Sequence, residues 1–98
     1  MSRRIFKYQL SKVDVQEIEL PHGYDLLTCE MQAGVPTIWA IVNDLNDNAR
    51  YRVWIVPTGD ILPTDEAAGQ LSSEHFIGTV RERMLDTELV WHLFMRSV

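Results

Sequence analysis

Tyr24-Asp25-Leu26-Leu27-Thr28-Cys29-Glu30-Met31-Gln32, then Ala33-Gly34-Val35-Pro36, then Thr37-Ile38-Trp39-Ala40-Ile41-Val42-Asn43, is the stretch that decides the fold. The first run alternates. Asp25, Leu27, Cys29 and Met31 fall on one side, and Tyr24, Leu26, Thr28, Glu30 and Gln32 on the other, the period of a half-buried strand. The last run is apolar on both sides, as expected of a strand at the middle of a sheet. Ala33-Gly34-Val35-Pro36 is too short for a crossover and carries turn residues, so it predicts a hairpin and antiparallel pairing.

The same texture continues in both directions, with turn residues cutting it every eight to twelve positions or so. Upstream, Arg3 to Leu10 reads as a strand through Ile5, Phe6, Tyr8 and Leu10. Val13, Val15, Ile18 and Leu20 make a second, and the switch of apolar parity between Val15 and Ile18 predicts a bulge or bend. Pro21-His22-Gly23 breaks the chain. Downstream, past the polar Asp44 to Asn48, the segment Arg50 to Val56 sets Tyr51, Val53 and Ile55 opposite Arg52, Trp54 and Val56. Glu74 to Arg81 is another strand. Glu88 to Arg96 is apolar on both sides through Val90, Trp91, Leu93, Phe94 and Met95.

Between them, residues 57–73 form the longest irregular stretch. Thr64 suits the N-cap of one short helical turn over 64–69, with Asp65 and Glu66 in its first turn and Gly69 ending it. The expectation is a single domain over 1–98, all-β, a small antiparallel sandwich or partly open barrel of about seven strands.

Composition narrows the function classes. A hydrophobic share of 46% suits a packed globule. The single Cys29 excludes an internal disulfide and favours a reducing compartment. The N-terminus carries Arg3 and Arg4 but lacks the apolar core of a signal peptide, and no apolar run approaches the roughly 20 residues that span a bilayer. These features predict a cytoplasmic protein with no membrane partner.

The net charge of −5 is unevenly spread. Residues 1–12 hold Arg3, Arg4, Lys7 and Lys12 and no acid, whereas 13–48 hold seven acids and no Lys or Arg. Residues 57–75 add Asp60, Asp65, Glu66 and Glu74, again without a base. Such stretches repel phosphate backbones, so direct nucleic-acid binding is not expected. They could meet a basic protein surface, although the plainer reading is solvated strand faces and loops that keep a small protein soluble.

Motifs of catalysis are missing: there is no glycine-rich phosphate loop, Cys-x-x-Cys, His-Glu-x-x-His or Gly-x-Ser-x-Gly. The expectation is a non-enzyme with no catalytic residues, no metal and no cofactor. His22 reads as an exposed turn residue, and His75 and His92 as strand residues packed or bonded across the sheet. Cys29, alternating with Leu27 and Met31, reads as buried and inert. Trp39, Trp54 and Trp91 read as core. Trp91 is the best candidate for an exposed anchor, because its strand offers a second apolar face that another subunit could cover. The residues expected to meet a partner are Asp60, Asp65, Glu66, Trp91 and His92.

Several pieces carry a resemblance when taken in order. They are Ile5-Phe6-Lys7-Tyr8, Leu20-Pro21-His22-Gly23, the run Cys29 to Val42, Thr58-Gly59, His75-Phe76-Ile77-Gly78-Thr79-Val80 and Leu89-Val90-Trp91-His92-Leu93-Phe94. The chain resembles a family of roughly hundred-residue β-rich proteins encoded by bacteriophages and prophages and grouped as a domain of unknown function. The resemblance implies a bacterial host cell and supplies no catalytic residues.

Three functions compete. The leading expectation is an accessory protein that binds and modulates or inhibits a host protein, in defence or nucleic-acid processing, through an acidic surface; a phage protein is the alternative target. The second is a homo-oligomer that binds or sequesters a nucleotide-like small molecule. The third is a minor virion or assembly component.

Overall fold

The computed structural model describes residues 2–65 and 69–98. The chain is an all-β sandwich. Its strands are β1 (Arg3–Gln9), β2 (Val15–Pro21), β3 (Asp25–Gln32), β4 (Val35–Asn43), β5 (Asn48–Pro57), β6 (Thr64–Asp65), β7 (Gly69–Gln70), β8 (Phe76–Met84) and β9 (Thr87–Ser97). The seven expected strands are present, and β6 and β7 are additional. One sheet has the order β1-β4-β3, the second β2-β5-β9-β8, and β6-β7 form a small ribbon; all pairs are antiparallel.

The deciding hairpin forms as its sequence requires. Gln32 pairs with Val35, leaving Ala33 and Gly34 as a two-residue turn with φ of 53° and 80°. Positive φ at both positions matches the twist of the flanking strands, and glycine accepts it without a Cβ clash. β4 then lies between β1 and β3, which is why Thr37 to Val42 needs apolar residues on both sides.

Two local expectations are corrected. β2 pairs with β5 in unbroken register from Val15↔Trp54 to Pro21↔Asn48, so there is no bulge between Val15 and Ile18. Ile18 and Leu20 turn to the core and Val15 points to solvent. The bulge lies instead in β3, between Leu26 and Thr28. It expels Leu27 and puts Leu26 on the core side with Cys29 and Met31, against the simple alternation.

The sheets enclose Leu10, Leu20, Cys29, Ile38, Tyr51, Val53, Ile55, Val80, Leu93 and Met95. At one side they close tightly. A Cβ on Gly78 would lie 3.0 Å from the Cβ and 3.1 Å from the Sγ of Cys29. A second bulge, between Phe76 and Gly78, belongs to this approach.

Trp54 and Val56 face away from that core and are buried all the same, because Leu71 of the 57–73 loop lies on them beside Phe94. The loop is thus part of the fold. The short helical turn expected over 64–69 is not where the described residues place one. Thr64 and Asp65 are extended and pair with Gln70 and Gly69, and residues 66–68 lie outside the described residues. A 3-10 turn occurs at Ser73–His75, where Ser72 Oγ accepts from Glu74 N and His75 Nδ1 accepts from Ser72 N.

Leu71→Ala should cost about 2–4 kcal/mol in urea unfolding, since it uncovers Trp54 and Val56. A freely moving loop would give less than about 0.5 kcal/mol. Gly78→Ala should cost about 1–3 kcal/mol through overpacking against Cys29, read the same way.

Candidate functional site

The loop leaves part of the outer face of the four-stranded sheet uncovered. Here Leu62, Ser72, Ser73, Phe76, His92 and Phe94 line an open hollow of about 350 Å³, almost wholly apolar. Phe76 and Phe94 are a cross-strand pair on β8 and β9, their rings edge to face with centroids 5.7 Å apart. The capped turn after Ser72 holds Ser72 and Ser73 at the rim. Phe76, the first residue of the edge strand β8, remains 45% exposed.

His92 borders the hollow with both ring nitrogens engaged. Thr58 Oγ1 lies 2.6 Å from Nε2, and Thr79 Oγ1 lies 3.0 Å from Nδ1. Thr58 N also donates to Val90 O, which ties the start of the loop to β9. The two hydroxyls fix the imidazole's orientation, and Phe76 lies against it with a 6.5 Å centroid separation. The site offers an apolar floor with hydroxyls and an imidazole at its edge. Such a surface takes an aliphatic or aromatic side chain. Among the described residues, no group of three or more His, Cys, Asp or Glu gathers where it could hold a metal ion.

The expected partner residues do not form one cluster. Trp91 and His92 occupy opposite faces of β9. Trp91 packs against the core at its end, beneath Lys12, whose ammonium lies 5.6 Å from the ring centroid. His92 belongs to the hollow. Asp60 is exposed, in a turn where its N–H donates to Pro57 O, two residues before Leu62. The backbone of Asp65 lies in β6; Glu66 lies outside the described residues. Leu62, Ser73, Phe76 and Phe94 went unremarked as site residues, because only the β8–β9 register and the path of the loop bring them together.

The charge pattern also resolves. Among the described residues, three of the seven acids in the base-free stretch 13–48 are paired with cations from outside it. Arg3 meets Asp25 at 3.6 Å, Arg4 bonds Asp44, and Arg52 and Arg50 reach Glu17 at 2.8 and 3.3 Å. The Arg52 hydrogen bond, with the charges of both arginines, holds the Glu17 carboxyl below its ordinary value. Asp60 and Glu74 have no ion-pair partner among the described residues. Asp14, Glu19, Glu30, Asp47 and Asp86 have none either, so Asp60 and Glu74 are the unpaired carboxylates nearest in sequence to the lining residues Leu62 and Ser73.

An all-β sandwich with an apolar hollow on one outer face is the class of protein that these elements define. The chain belongs to the family described as a domain of unknown function (DUF7352), whose model matches residues 1–98. No curated protein and no solved structure matches the chain. Among the described residues no helix is long and apolar enough to cross a membrane.

Cys29 lies in the core between the sheets, its Sγ–H donating to Ile77 O at 3.5 Å. Burial pushes its thiol up to about 11. Because the folded state favours the neutral thiol, alkylation by iodoacetamide should be slow at about pH 8 and rise as pH climbs toward 11. Unfolding in urea should release fast labelling at pH 8. Fast labelling of the folded protein there would contradict the burial.

Proposed function

We propose that this chain is a non-enzymatic accessory protein of phage origin that works in the bacterial cytoplasm by binding a host protein and modulating it. The observation that supports this reading is the uncovered hollow of Leu62, Phe76, His92 and Phe94 beside the unpaired Asp60 and Glu74. A partner segment with one apolar anchor next to Lys or Arg matches both features. Burying a single Leu or Phe contributes only about 1.5–3 kcal/mol, too little for stable binding alone. The contact must therefore spread over the loop, where Ile61 is 92% exposed.

The same surface speaks against a nucleotide-like ligand. Residues 53–80, which supply four of the six lining residues, contain no Lys or Arg to hold a phosphate, and Arg96, two residues past Phe94, already has an interaction partner.

The test is capture from bacterial lysate with tagged wild type, Phe76→Asp, and the triple variant Asp60→Asn, Asp65→Asn, Glu66→Gln. A stoichiometric partner should appear with wild type and be lost with Phe76→Asp. The triple variant should bind it roughly tenfold or more weakly and with a shallower salt dependence. A partner held equally by all three would overturn the hollow as the docking site.

A further inference from the structure

The β8–β9 hairpin runs on past the sheet that carries it. β5 ends its pairing at Pro57↔Trp91, while Arg81↔Val90, Glu82↔Leu89, Arg83↔Glu88 and Met84↔Thr87 continue as a two-stranded ribbon. At roughly 3.3 Å per residue, these pairs carry the tip about 13 Å beyond the last β5 pair. Leu85 and Asp86 turn the hairpin. Leu85 is 100% exposed and has φ +50°, a conformation that asparagine, aspartate or glycine adopts easily and leucine does not. Met84 beside it is 52% exposed. Exposure and backbone strain both disfavour leucine here in an isolated chain, which suggests that its side chain is used elsewhere.

The charges around the tip are partly spoken for. Lys12 holds Glu82 at 2.9 Å and Arg81 approaches Glu88 at 3.8 Å. Arg83 has no ion-pair partner among the described residues. Asp86, next to Leu85, has none either, so the tip presents an apolar knob with one cation, Arg83, and one anion beside it. The hollow presents an apolar hole with Asp60 and Glu74 beside it, and lacks any cation from 53–80.

We propose that Leu85 of one copy seats in the Leu62–Phe76–His92–Phe94 hollow of a second copy, with Arg83 facing its Asp60 and Glu74. This occupant rests on the reading of the hollow as a docking site and names what fills it when no other partner is bound. Tip and hollow lie at opposite ends of the same hairpin, so the contact is head to tail. Each copy added leaves one tip and one hollow free. A partner offering its own apolar anchor beside a cation competes for the same hollow, so that self-association and partner binding exclude each other.

Sedimentation velocity of the full chain from about 5 to 500 µM tests this, the range in which weak contacts fill. Wild type should sediment faster as concentration rises. Leu85→Asp, which removes the knob, and Ser73→Arg, which fills the hole and repels Arg83, should each stay monomeric with unchanged far-UV circular dichroism. Leu85→Asp should melt no lower than wild type, because aspartate tolerates positive φ. An equimolar mixture of the two variants should form 1:1 dimers and nothing larger, since one keeps its hole and the other its knob. Wild type that stays monomeric throughout, association that survives Leu85→Asp, or a mixture that does not dimerise would overturn the proposal. If it fails while Phe76→Asp still loses a captured partner, the hollow docks that partner and not a second copy. If Phe76→Asp loses nothing, the docking reading itself fails.

Discussion

Everything in this fold follows from the central pair β5–β9, which is apolar on both faces and must be covered on both. The inner face, with Val53, Ile55, Leu93 and Met95, is met by the three-stranded sheet. The outer face, with Trp54, Val56 and Phe94, is met among the described residues only by the 57–73 loop and its small β6-β7 ribbon. A large aromatic left in water on that side forfeits a substantial part of the stabilisation a domain of this size commands. The chain covers it with the segment after β5, tied down by Thr58 on His92 and Val90 and by Leu71 on Trp54 and Val56. The hollow is where that cover stops. Site and fold therefore have one cause: a loop that shields one part of an apolar face and leaves the next part open.

Electrostatics completes the asymmetry. The cations of β1 and β5 neutralise carboxylates far away in sequence, across β4 or on the neighbouring edge strand. These exposed pairs contribute little to stability individually. They leave Asp60 and Glu74 without an ion-pair partner among the described residues, along with Asp14, Glu19, Glu30, Asp47 and Asp86. Two of the unpaired carboxylates, Asp60 and Glu74, stand close in sequence to residues that line the apolar hollow, a placement that neither net charge nor composition describes.

Much of the architecture was legible in the sequence because it depends on local periodicity. The hairpin at Ala33-Gly34, the doubly apolar β4 and the two-faced β5 and β9 follow from residues read a few at a time. What was not legible depends on distant neighbours. The β3 bulge at Leu27 breaks an alternation that looks regular in sequence, and it sits where β3 and β8 crowd together at Cys29 and Gly78. The apparent parity switch near Val15 needs no bulge, since an exposed valine on an edge strand satisfies it. Thr64 carries a capping hydroxyl but lies in a ribbon, whereas Ser72, with His75 three residues on, makes the cap. Of the expected site residues, His92 reaches the hollow; Phe76 and Phe94 could be found only through their register.

The second apolar face of β9 raised the choice between cover by the chain itself and cover by another molecule. The structure divides the answer along the strand. At Phe94 the loop is present but incomplete, and near Val90 the ribbon leaves the sheet altogether. One hairpin thus carries two unmet apolar features of opposite shape, a concavity at one end and a projection at the other. A monomer can improve either by a single polar substitution, since neither Phe76 nor Leu85 is needed to close the main core. Holding a fully exposed leucine at positive φ, where aspartate one residue later would sit with less strain, is costly to the isolated fold. Both features lower the stability of a monomer, and the contacts proposed above would relieve them.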